Sequence, residues 1–162
     1  MSLLQPGDAF PELSLTVPGG GVVNVPEAFD GEYGVMLFYR GSWCNYCNHQ
    51  LRAFQRARAS LADVGIRVAA LSVDDEATTA GLMERHRVTF PVGYGADACA
   101  ISDLTGAFVH HDPLYLESTG FVLNPDGKVM VSVYSSGAIG RLIPEDVAGY
   151  IRHVQEHTPS PV

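Results

Sequence analysis

The sequence predicts an α/β fold: a central mixed β-sheet flanked by helices on both faces, with an N-terminal β-hairpin extension. Three observations carry this expectation. Apolar runs of strand length at 35–39 and 66–73 enclose one amphipathic helical stretch, a strand–helix–strand order that forces a parallel pair with a right-handed crossover. Two further apolar runs, 120–123 and 128–134, are joined by Asn124-Pro125-Asp126-Gly127, the composition of a tight antiparallel turn. A helix opening at Pro144 closes the order.

The elements follow in sequence. Residues 6–32 are rich in Gly and Pro, with short alternating pieces at 13–17 and 21–25 that suit a small hairpin packed on the body. The run 35–39 has no polar residue, as a strand covered on both faces requires. Beyond it Leu51, Phe54, Ala57, Leu61 and Val64 recur at helical spacing, with Arg52, Gln55, Arg56 and Arg58 on the other side, and Gly65 is a helix stop. Asp74 and Asp75 offer an N-cap for a helix running to about Arg87. The final helix is expected to bury Val147, Tyr150, Ile151 and Val154. No repeat or linker divides the chain, so residues 1–157 read as one domain and 158–162 as a frayed tail.

Composition narrows the function. The chain has 162 residues, of which 10 are Lys or Arg and 18 Asp or Glu, a net charge of −8. Such a surface repels phosphate backbones, which argues against nucleic acid as partner. No apolar stretch approaches the roughly 18 residues of a membrane span. The first residues lack the basic and apolar segments of a secretory signal, and three cysteines do not form a secreted disulfide framework. The expectation is a cytoplasmic protein.

The chemistry concentrates in Trp43-Cys44-Asn45-Tyr46-Cys47, at the junction of a core strand and a long helix. A thiol there meets the unpaired N–H groups of the first helical turn and the positive end of the helix dipole, both of which favour thiolate. Arg40 is the nearest additional cation, and His49 another. Three-residue spacing puts Cys44 and Cys47 on one side, close enough for a redox-active disulfide. A zinc site using the pair with Cys99, His49, His110 or His111 is the competing account. It lacks a second Cys-x-x-Cys or a spaced His pair.

At these residues the chain resembles the thioredoxin superfamily, and within it the alkyl hydroperoxide reductase/thiol-specific antioxidant branch of peroxiredoxin-like proteins. The likeness runs from Pro6-Gly7-Asp8 to the last helix, and is strongest over 38–47, 71–74 and 120–127. It implies a thioredoxin-like fold and a peroxidase that needs no bound cofactor. On the peroxiredoxin pattern Cys47 falls at the peroxide-attacking position, and Cys44 where a Thr orients the peroxide. On the thioredoxin pattern Cys44 attacks and Cys47 resolves, with Trp43 at the expected preceding place. The chain departs from both. It lacks the peroxiredoxin Pro near Arg40 and Gly41, has no Arg near Ser118, and carries Thr119 where thioredoxins have a cis-proline.

The expected function is therefore a thiol-dependent peroxidase in which Cys47 attacks a hydroperoxide and Cys44 condenses with the resulting sulfenic acid. An external thiol reductant such as a thioredoxin-type protein would reset the pair. The alternatives are a thioredoxin-like reductase acting on disulfide substrates, and a non-catalytic module that senses oxidation or holds zinc. Tyr39 and Trp43 are expected to wall the site, and Thr119 to line it. Cys99 reads as a small buried hydrophobe, His110, His111 and Asp112 as a solvated loop, and Arg141 as a surface residue near a helix start. The resemblance also implies a homodimer.

Overall fold

The computed structural model describes residues 2–157; the expected frayed tail, 158–162, lies outside them. A five-stranded sheet forms the centre, in the order β5-β4-β3-β8-β9. Its strands are β3 (Tyr33–Phe38), β4 (Ile66–Leu71), β5 (Val92–Gly93), β8 (Thr119–Leu123) and β9 (Val129–Tyr134). β3, β4 and β5 run parallel, whereas β8 is antiparallel to both of its neighbours, β3 and β9. An N-terminal hairpin of β1 (Leu13–Thr16) and β2 (Val22–Val25) and a short pair, β6 (Val109–His110) with β7 (Tyr115–Leu116), stand outside it.

Alternation along β3 builds the two layers. Val35 and Leu37, continued by Tyr39, enter one core with Cys44, Cys47, Leu51 and Phe54 of helix α1 (Asn45–Arg56). The same core takes Leu61 of α2 (Arg58–Asp63), Leu82 of α3 (Glu76–His86) and Val147 and Ile151 of α5 (Pro144–His157). Met36 and Phe38 point the other way, to the hairpin's Leu13 and Leu15 and to Ala98 of α4 (Ala98–Thr105). Period-two side-chain geometry thus divides one apolar run between two cores. The ladder from Tyr33↔Ile66 to Phe38↔Leu71 ends where α1 begins, so the two cysteines stand at the carboxyl end of the central strand.

The structure departs from the element-level expectations in two places. The single long helix is divided at Ala57, whose ψ of 0° lies off the helical value. Bonds from Ala57 N–H to the Ala53 carbonyl and from Leu61 N–H to the Ala57 carbonyl carry the hydrogen bonding across the break. Tyr150 is 42% exposed rather than internal. Val147, Ala148 and Ile151 set the inner face, and a residue next to Ile151 is turned about 100° away. Residues 88–118 hold β5, α4, β6 and β7.

Phe54 is fully buried in the α1-side core. Phe54→Ala should lower unfolding stability by about 3–5 kcal/mol, as measured by urea denaturation with an unchanged slope.

Candidate active site

Cys44 is the N-cap of α1, with φ −89° and ψ 112°, and its sulfur accepts the Cys47 N–H at 3.2 Å. A sulfur takes the place that Ser or Asp fills in an ordinary cap. The preceding loop is pinned from both sides. Ser42 N–H donates to Asp74 Oδ2 at 2.8 Å, and Asn48 Nδ2 donates to the Ser42 carbonyl at 2.9 Å. Burial raises the Asp74 carboxyl above its ordinary range, against the Ser42 N–H that favours its charge. A Cβ at Gly41, where φ is +159°, would overlap the Trp43 ring, so only glycine lets the indole fold back there.

Cys47 lies one turn in. Its sulfur accepts the Arg40 N–H at 3.3 Å and Arg141 Nη2 at 3.2 Å. The same Arg141 nitrogen reaches Cys44 Sγ at 3.6 Å, so one guanidinium bridges both sulfurs. Arg40 Nη1 stands 3.9 Å from Cys44 Sγ. The Arg40 side chain is held by Glu117 at 3.0 Å and the Tyr115 hydroxyl at 3.0 Å. Its Cζ lies 5.0 Å from the Trp43 ring centre and 5.2 Å from that of Tyr115. Trp43 meets Tyr115 edge-on, and His110 stacks on that tyrosine with ring centres 4.4 Å apart.

These contacts separate the two thiols. Burial by itself would raise Cys44, but the Cys47 thiol and N–H, Arg141 and Arg40 together bring it below its ordinary value. Cys47 is pushed up to about 11, first by burial and then by giving its thiol hydrogen to Cys44, against the pull of Arg141 and the Arg40 N–H. The pair thus carries its first negative charge on Cys44 and keeps the proton on Cys47. Both cysteines are reduced and nearly closed to solvent, at 3% and 0% exposure.

The other expected site residues divide. Arg40 and Trp43 stand at the sulfurs. Tyr39 is fully buried behind them, with its hydroxyl pushed up to about 12 by burial. Thr119 starts β8 opposite Phe38, and its hydroxyl donates to the Glu117 carbonyl, bracing that segment rather than reaching a sulfur. His49 and His111 are exposed. Cys99 is exposed as well, so it is no buried hydrophobe. Among the described residues no group of three or more His, Cys, Asp or Glu side chains is placed to hold a metal. Arg141, expected at the surface, is a central member of the site. Gln50, Tyr115 and Glu117 were not foreseen; Gln50 alone carried a signal, as the third position in a series of three-residue steps that starts at Cys44 and Cys47.

The model of the AhpC/TSA family matches residues 6–132. A peroxiredoxin of Methanothermobacter thermautotrophicus is 26% identical over 87% of this chain and 69% of its own length. An alkyl hydroperoxide reductase C of Mycolicibacterium smegmatis is 23% identical over 90% of this chain and 82% of its own. Among solved structures, peroxidoxin BcpB of Mycobacterium tuberculosis superposes with a TM-score of 0.80 at 16% identity, covering 93% of this chain and 98% of that one. A thiol:disulfide interchange protein DsbE of Chlorobium tepidum, described as putative, gives 0.67 at 19% identity, over 94% and 97%. These two share the fold.

At pH 7 iodoacetamide should label Cys44 and spare Cys47, as read by peptide mass spectrometry. Raising the pH toward 11 should bring Cys47 into reaction, since its thiolate appears only there. Equal labelling of both at pH 7 would contradict the charge order.

Proposed function

The chain belongs to the AhpC/TSA family, and from that premise we propose a two-cysteine thiol peroxidase in which Cys44, not Cys47, attacks the hydroperoxide. The protein is a thiol-dependent oxidoreductase of peroxiredoxin type; the order of the two sulfurs is the new element. The observation that carries it is the Cys44 sulfur capping α1 under Arg141 while Cys47 holds the proton behind it.

The Cys44 thiolate attacks one peroxide oxygen. An S–O bond forms, the O–O bond breaks, and the alkoxide leaves as Cys44 becomes a sulfenic acid. The Cys47 thiol gives its proton to the alkoxide, which departs as an alcohol. The new Cys47 thiolate attacks Cys44, forming the S–S bond and releasing hydroxide. Arg141 touches both sulfurs at the start, so it stabilises the charge wherever it moves along this path. Two electrons from an external dithiol, of the thioredoxin type, return the pair to its reduced form. That requirement suits a reducing compartment such as the cytosol.

Disulfide exchange is a second reading, favoured by the same Cys44-first charge order: a thiolate at the N-cap with a protonated partner three residues on suits attack on a disulfide equally well. Insulin reduction with dithiothreitol separates the two. The peroxidase reading expects slow insulin turnover beside fast peroxide consumption.

Sulfenic acid trapping with dimedone tests the order of attack. Cys47→Ser should still form sulfenic acid on Cys44 in a single turnover and then stall. Cys44→Ser should lose at least about 100-fold in single-turnover rate, since the remaining thiol is protonated at neutral pH. Normal-rate oxidation of Cys47 in Cys44→Ser would return the attack to Cys47.

A further inference from the structure

Two guanidiniums approach the sulfurs, and they are tethered in chemically opposite ways. Arg40 is tied by the carboxylate of Glu117, at 3.0 Å and only 8% exposed, so its charge is matched. Among the described residues, Arg141 is tied by neutral groups alone. Its Nη1 donates to Gln50 Oε1 at 3.2 Å, and its Nε and Nη2 donate to the Ala138 carbonyl at 3.2 and 3.0 Å. Gln50 is itself buried, at 6% exposure, and its Nε2 donates to the Leu142 carbonyl at 2.9 Å. One amide therefore grips the Arg141 side chain with its oxygen and the next residue's backbone with its nitrogen. Cys44, Cys47 and Gln50 follow at three-residue steps on one buried face of the helix.

We propose that Gln50 is a positioning residue that holds Arg141 across both sulfurs while leaving the guanidinium charge unmatched by any carboxylate. The proposal rests on the thiolate chemistry put forward above, but it assigns a separate role to a residue that touches no sulfur. The amide is suited to this as a carboxylate is not. Glutamate at position 50 would make a stronger, charge-assisted bond to Arg141. It would also set a negative charge beside the guanidinium that the thiolate needs, and would remove the donor that binds the Leu142 carbonyl. The full site also includes Tyr39 and Asp74 behind the sulfurs, and Tyr115 and Glu117 around Arg40, and none of these four hydrogen-bonds to Arg141.

The test is the pH dependence of Cys44 alkylation in the full chain, read peptide by peptide, so that it does not depend on turnover. Gln50→Glu should move the Cys44 midpoint up by about one pH unit or more, the scale of one neighbouring charge. Glu117→Gln should move it down, because Arg40 then loses its matching carboxylate. Gln50→Met, which keeps the volume and removes both bonds, should also raise the midpoint, and Gln50→Asn should recover part of the loss. Thermal unfolding identifies any variant that fails to fold, and circular dichroism of Gln50→Met supplies a second check. An unshifted midpoint in folded Gln50→Glu would overturn the role of Gln50, even with wild-type Cys44 titrating low. A wild-type Cys44 that titrates at 8.5 or above would instead overturn the underlying thiolate reading.

Discussion

A negative sulfur held out of water is the constraint around which this site is arranged. Burial opposes ionisation of any thiol, and at Cys44 it is the largest single influence. The charge is kept only because a helix N–H, a neighbouring thiol and two guanidiniums converge on the atom within hydrogen-bonding range or just beyond it. Each is individually modest. Together they outweigh desolvation, and the low polarity that makes the charge costly also strengthens the contacts that hold it.

No one segment could supply that convergence. The helix N-terminus comes from the end of β3, the loop is fixed by Asp74 after β4, Arg40 is fixed by Tyr115 and Glu117 around β7, and Arg141 arrives from beyond β9. The parallel β3–β4 ladder and the antiparallel β8–β9 pair bring these segments to one end of the sheet, at the carboxyl end of β3. The site is a product of sheet order as much as of its motif.

That origin explains what could be read from the sequence. The strand–helix–strand unit, the 124–127 turn and the placement of Cys44 and Cys47 at a helix mouth are local patterns, and the periodicity of the apolar residues exposes them. Arg141 was hidden because its partner lies 97 residues away, and a lone arginine before a helix looks like any solvated one. Glu117 and Tyr115 were hidden for the same reason. Tyr150 misled in the other direction, since an aromatic one position off the inner stripe still satisfies a helical count. Cys99 shows that a cysteine with apolar neighbours in sequence need not be buried in space.

The raised Cys47 thiol gains meaning from the order of charges. A thiol that titrates near 11 is a poor attacker at neutral pH but a good store for one proton. In the proposed cycle it yields that proton to a departing alkoxide, and the sulfur left behind is then intrinsically more nucleophilic than a low-pKa thiolate, because nucleophilicity rises with basicity. It forms beside the sulfenic acid it must attack. Closing the disulfide then removes the anion that Arg141 was placed to balance, and leaves a half-buried cation facing neutral groups. Stabilising the thiolate in this way favours the reduced pair over the disulfide, so in that cycle the guanidinium proposed to speed the first attack would also favour the return to the dithiol.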